Sequence, residues 1–279
     1  MLFFCIAALY PLDWPAANAP MVRNFGWNDT GYPVLGNVFR TEGPIRTADT
    51  GELLFFHAPS NTASSLPSPL GSWIALEHGD GIIGIYSRIE EPWVSTFPDI
   101  LEKDVVVASA GKSGWTNQAG FYFSLFDRRE RRWVNPSSII TPLEDTRPPQ
   151  IESVTLKNGQ NDPIDLSQVR TIRQGRYAIQ VAASDTRIGP TEIPLAPYRI
   201  SCSVNGIEIG VLTFETFSTR DGVLMVYRNG LMPARQVYAA NPAFEIGEVE
   251  FIRGQVMLTV IAQDISGNVR TNVYRFQAE

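Results

Sequence analysis

Short apolar runs that alternate with polar residues, each cut off by proline or glycine, constrain this chain more than any other feature. Twenty prolines and 22 glycines divide its 279 residues into segments such as Glu52-Leu-Leu-Phe-Phe56, Trp73-Ile-Ala-Leu76, Ile82-Ile-Gly-Ile-Tyr86 and Gly120-Phe-Tyr-Phe-Ser-Leu-Phe126. Such runs, rich in β-branched and aromatic residues and bounded by turn formers, read as strands. Helical periodicity is nearly absent. Only Pro98-Asp-Ile-Leu-Glu-Lys103 and Asn135-Pro-Ser-Ser-Ile139 are expected to make a helical turn each. The predicted fold is mainly β.

Prolines and charges interrupt the pattern at Thr141-Pro-Leu-Glu-Asp-Thr-Arg-Pro-Pro149, and a clean alternation restarts at Ile151-Glu-Ser-Val-Thr-Leu156. A domain boundary is expected there, giving one unit over residues 20–145 and a second over 146–279. The second contains strands of even spacing with turn signals at Asn205-Gly206 and Asn229-Gly230, the signature of a β-sandwich. Two of its strands end alike, Ala182-Ala-Ser-Asp185 and Ile261-Ala-Gln-Asp264. These endings resemble those of immunoglobulin-like bacterial envelope domains. Their aspartates suggest either calcium or Asx-turns that satisfy local backbone donors, and the turns are the simpler expectation.

A hydrophobic content of 44% supplies a large core, and a net charge of −6 leaves no footprint for a polyanion, which argues against nucleic acid as a partner. The apolar run Leu2 to Tyr10, closed by Ala17-Asn18-Ala19, reads as a secretory signal peptide over residues 1–19 or a retained anchor. Export to the periplasm or cell envelope follows from that reading. No other segment approaches the length of a membrane span. Cleavage would leave Cys202 as the one cysteine, with no intramolecular disulfide.

Five segments, in order, carry a family resemblance. They are Gly43-Pro-Ile-Arg-Thr-Ala-Asp-Thr-Gly-Glu-Leu53, the strand-turn-strand Trp73 to Tyr86 around His78-Gly-Asp-Gly81, Lys103 to Gly114, Gly120-Phe-Tyr-Phe-Ser124 and Val134-Asn-Pro136. From about Gly31 to Ile140 they resemble the core of the M23 (LytM/lysostaphin-like) zinc peptidases, an antiparallel-sheet domain whose active members cleave peptidoglycan cross-bridges. Each motif alone is a common glycine turn between strands; five at the right spacing are far more specific. The fold the resemblance implies is an M23-like domain followed by an immunoglobulin-like β-sandwich.

A catalytic zinc needs three protein ligands and an open position for water. The family pattern places the early ligand pair within Tyr32 to Phe39, where there is no His or Asp, and the late His-x-His on Gly120 and Tyr122. The central Tyr-x-His falls on Tyr86 and Arg88. The resemblance therefore implies a lost zinc site, no cofactor and no catalytic residue. His78 survives, but it corresponds to a turn histidine that is not a ligand and is expected to pack against the hairpin. His57 is expected to be a solvated loop residue.

In place of metal chemistry, Arg88, Tyr86, Tyr122, Trp115 and His78 are the candidates for a binding groove. The implied role is to hold peptidoglycan or to regulate a cell-wall hydrolase. Two alternatives stay open: an active zinc endopeptidase with an atypical site, and a structural envelope or adhesin module in which the tyrosines only fill space. If Val34, Val38, Arg88 and Tyr122 line one groove of a sheet, the degenerate-peptidase reading holds. The glycine-rich Gly111-Lys-Ser-Gly114 is expected to be a plain turn and Arg128-Arg-Glu-Arg-Arg132 a solvated hairpin loop.

Overall fold

Alternation in the first half produces antiparallel strands that lie side by side. A computed structural model describes residues 12–58, 68–90, 98–116, 118–141, 145–159, 163–186, 193–238 and 240–279. In it Gly51–His57, Ser72–Glu77, Ile82–Ile89 and Phe121–Asp127 are consecutive neighbours, and Asn37–Phe39 pairs with the start of Phe121–Asp127. Asp80 and Gly81 take left-handed φ values of 62° and 78°, which lets the chain reverse between the second and third of these strands. The cross-strand register places Phe39, Phe121, Phe123, Tyr86 and Ile74 on one face, all fully or almost fully buried. They form a core with Ile45, Leu101, Val107 and Ile140.

A second core lies between two further groups of strands. Gln150–Lys157, Gly175–Thr186 and Phe244–Phe251 make one sheet, while Arg199–Val204, Ile207–Arg220, Gly254–Gln263 and Val269–Ala278 pair in the other. Inward residues of both, among them Val154, Ile179, Phe244, Ile200, Phe214 and Val260, pack into one cluster. Cys202 lies in this core as a free thiol. The two halves share a sheet, because Arg132–Val134 pairs with Phe121–Asp127 on one side and with Thr216–Ser218 on the other. Side chains also cross: Phe25 sits in the second core and Leu195 in the first.

Two expectations need correction. Pro98 to Lys103 forms no helical turn; Ile100–Leu101 is a short strand on Gly51–Glu52, where a sheet edge supplies backbone partners that an isolated turn lacks. Asn135 does cap a single 3₁₀ turn over Pro136–Ser138, but the α-helix is elsewhere, at Ala234–Tyr238. Two residues of the expected leader pack with the first unit. Leu12 and Trp14 are buried in the first core, Trp14 stacks edge-on against Phe39, and its indole N–H donates to the Thr141 carbonyl. Cleavage after Ala19 would strip both from the core. Residues 1–11 of the expected leader, most of the loop after Ala58, positions 142–144 of the expected boundary and half of the Thr186–Pro197 loop lie outside the described residues. Among the described residues no helix is long and apolar enough to cross a membrane.

Candidate functional site

The strand register gives the first sheet a second face, opposite its core. His57, Trp73, Ser87, Tyr122 and Val38 succeed one another across five strands, with Phe55, Ala75, Ile85 and Ser124 as the adjacent row. Residues paired across antiparallel strands point to the same side. This face is aromatic at one end: the Trp73 ring lies 4.8 Å from Phe55 and 6.5 Å from His57, centre to centre. Ser87 separates Trp73 from Tyr122, and its hydroxyl donates to the Tyr122 carbonyl.

Arg88 reaches this face through a β-bulge. Ser72 pairs with Ile89 and Trp73 with Ser87, so Arg88 is an extra residue on its strand, at a φ of 61°. A bulge breaks the up-down alternation and re-aims the side chain. Without it Arg88 would follow Tyr86 into the core; with it the guanidinium sits over the Tyr122 ring, 5.5 Å from the centre. The bulge is held from both sides, by the Arg88 N–H donating to the Leu70 carbonyl and its carbonyl accepting from Gly111. Burial lowers the pKa of this guanidinium, opposed by the tyrosine and Asp29, and it stays charged at neutral pH. Burial pushes the Tyr122 hydroxyl up to about 12, opposed by Arg88 and a hydrogen bond with the Leu35 backbone.

The sequence candidates therefore separate. Arg88 and Tyr122 meet on this face, where Ala75, Ser87 and Ser124 are buried, and Val38 stands beside Tyr122 in register. Val34 is tied by backbone hydrogen bonds to Gly26 and Trp27, in the turn preceding that strand. Trp115 is 75% exposed, on the segment whose backbone bonds to Pro69. Ser113 of that segment accepts from the Ser72 N–H and donates to the Ile89 carbonyl, so Gly111 to Gly114 clasps the bulged strand pair.

Tyr86 and His78 belong to the core side instead. The Ala48 N–H donates to the Tyr86 hydroxyl, which lies 3.2 Å from His78 Nε2, while His78 Nδ1 lies 3.1 Å from the Thr50 carbonyl. A carbonyl only accepts, so the proton is on Nδ1, and Nε2 accepts from the tyrosine. Both ring nitrogens are thus engaged. Burial holds the His78 pKa below its ordinary 6.5, opposed by the Thr50 bond and Asp49, and burial also raises that of Tyr86.

These residues do not fit a zinc ion. His78 has no free nitrogen, Asp80 pairs with Arg129 across the hairpin at 3.6 Å, and His57 lies against Trp73. His57 ends a strand rather than heading a solvated loop, as its sequence context had implied. Sequence reasoning also missed Phe55 and Trp73 as site residues. Their signal was the alternation itself, which becomes a shared face only once the register is known.

Away from this face, the arginine-rich hairpin is neutralised locally by Arg128–Glu77, Arg129–Asp80 and Arg132–Asp127 pairs. Of the two strand-end aspartates, Asp264 makes the expected turn, accepting from the Asn268 backbone and side-chain amides; Asp145, in the expected boundary segment, accepts from the Arg147 N–H. Carboxylate oxygens of Asp145, Asp185 and Asp264 lie within 4.8 Å of one another.

A protein-family model matches residues 148–279, just under half of the chain. No curated protein matches. Among solved structures the chain is similar to a zinc-containing peptidase from Vibrio cholerae, at 17% identity over 45% of this chain and 39% of that one, with a TM-score of 0.37. It is also similar to the catalytic domain of the prophage-encoded M23 protein EnpA from Enterococcus faecalis, at 18% identity over 44% of this chain and 95% of that one, TM-score 0.36. A third is the SpoIIQ–SpoIIIAH pore-forming complex, at 15% identity over 48% and 92%, TM-score 0.38. The chain thus spans well under half the length of the first of these. At such identities and scores no residue's role carries across.

Proposed function

We propose that this chain is a non-catalytic, M23-like protein of the cell envelope, joined to an immunoglobulin-like domain, that binds peptidoglycan through the face carrying Phe55, Trp73, Arg88 and Tyr122. The observation that carries the reading is the convergence of Arg88 and Tyr122, the positions aligned with family histidines, into a cation–π pair on the same face as the exposed Phe55 ring and the half-buried Trp73 ring. Aromatic faces and guanidinium groups receive sugars and peptides by stacking and hydrogen bonding. The donor set supports a lost metal site: the surviving turn histidine is consumed by an internal hydrogen-bond chain.

Metal analysis of the purified chain after exposure to zinc and dialysis, together with release of soluble fragments from purified sacculi, tests the proposal. The expected result is no stoichiometric zinc and no release. About one tightly held zinc per chain, lost with activity in a His78→Ala variant, would overturn it.

A further inference from the structure

Among the described residues Arg88 is a cation without a paired anion. Its guanidinium rests on the Tyr122 ring, and among the described residues it makes neither an ion pair nor a side-chain hydrogen bond. Asp29 favours its charge through space but is exposed and forms no ion pair with it. A guanidinium carries five N–H donors in a planar fork. The fork is half-buried against the ring, and its nitrogens are not among the buried unpaired atoms, so its donors remain within reach of water or a ligand. The backbone bears a further strain to put it there, since Arg88 occupies a left-handed conformation that residues with a Cβ rarely adopt.

Resting on the reading that this face binds peptidoglycan, we propose that Arg88 is the anchor for a carboxylate of the ligand. The carboxylate is received by the open edge of the guanidinium as two parallel N–H···O bonds. The Tyr122 ring backs the cation, and the Trp73, Phe55 and His57 rings, on the far side of the buried Ser87, receive the apolar or sugar portion attached to it. Charge argues for a carboxylate over phosphate. One cation, an exposed aspartate nearby and a chain of net charge −6 suit a monoanion better than a polyphosphate backbone.

Calorimetric titration of the full chain tests this with three probes: a soluble disaccharide–peptide fragment of peptidoglycan with free carboxylates, the same fragment with its carboxylates amidated, and glycerol phosphate. Amidation is expected to weaken binding by about tenfold or more, the scale of a lost charge-assisted pair. Arg88→Asn is expected to weaken the free acid similarly and to abolish the difference between the two forms. Asparagine tolerates the left-handed backbone, so the bulge survives. Arg88→Lys, which keeps the charge but not the fork, is expected to fall between.

Equal binding of acid and amide, or of wild type and Arg88→Asn, overturns the anchor while leaving the binding face in place. Competition by glycerol phosphate as strong as by the free acid overturns the preference for carboxylate. Failure of every fragment to bind overturns the anchor and the peptidoglycan reading together. If Arg88→Asn does not fold, the comparison of acid with amide on the wild type decides.

Discussion

Two tyrosines aligned with the same family's catalytic region do opposite things, and each does so because of its neighbours. Tyr122 stands on the open face under Arg88, whereas Tyr86 is fully buried and links Ala48 to His78. Tyr86→Phe keeps the ring but orphans the Ala48 N–H and His78 Nε2. It is expected to cost about 1–3 kcal/mol in denaturant unfolding, with no loss of ligand binding. His78 itself makes stability depend on pH. Its pKa is depressed in the folded chain, so the unfolded chain binds more protons between that value and 6.5. Its contribution is therefore complete above 6.5 and declines as pH falls below it. Urea midpoints measured from about pH 7.5 down to pH 5 should fall more steeply for wild type than for His78→Gln; parallel slopes would count against the buried neutral imidazole.

At the level of elements, the bulge at Arg88 depends on the clasp between Pro69–Ser72 and Gly111–Trp115. Ser113→Ala leaves the buried Ser72 N–H and Ile89 carbonyl without their side-chain partner, and is expected to destabilise by about 1–3 kcal/mol. The same variant should also weaken ligand binding, because the strand that carries Arg88 loses its support. A variant that loses stability while binding unchanged would show that the clasp does not position Arg88. The strands were legible in the sequence because alternation reports burial directly, as the Phe121–Asp127 run shows. The open face was not, because it is a property of register: Phe55 and Trp73 meet only through a second bulge at Leu54 that no local pattern announces. Pro98 to Lys103 failed for a related reason, since a distant edge strand overrode a local preference. Arg88 lies over Tyr122 although alternation would send it into the core, because the bulge re-aims it.

The whole molecule has two cores, and one continuous sheet runs past both while a separate sheet closes the second. Phe25 packs in the second core, Tyr238 donates its hydroxyl to the Gly26 carbonyl, and Asn135 donates to Phe214. Such coupling predicts a single cooperative unfolding transition, with calorimetric and van't Hoff enthalpies in agreement. Two separated transitions would contradict it. Trp14→Ala is expected to lower stability by about 3–5 kcal/mol, since it empties a buried aromatic site in the first core. An unchanged melting temperature would show that Trp14 is dispensable to the fold. The central claim is that the open face of the first sheet binds peptidoglycan without cutting it. Co-sedimentation of the full chain with purified sacculi, wild type beside Phe55→Ser, tests it most directly. The account predicts saturable pelleting of the wild type, reduced in the variant, with the sacculi intact. Wild type left in the supernatant, or sacculi dissolved by it, would contradict the account.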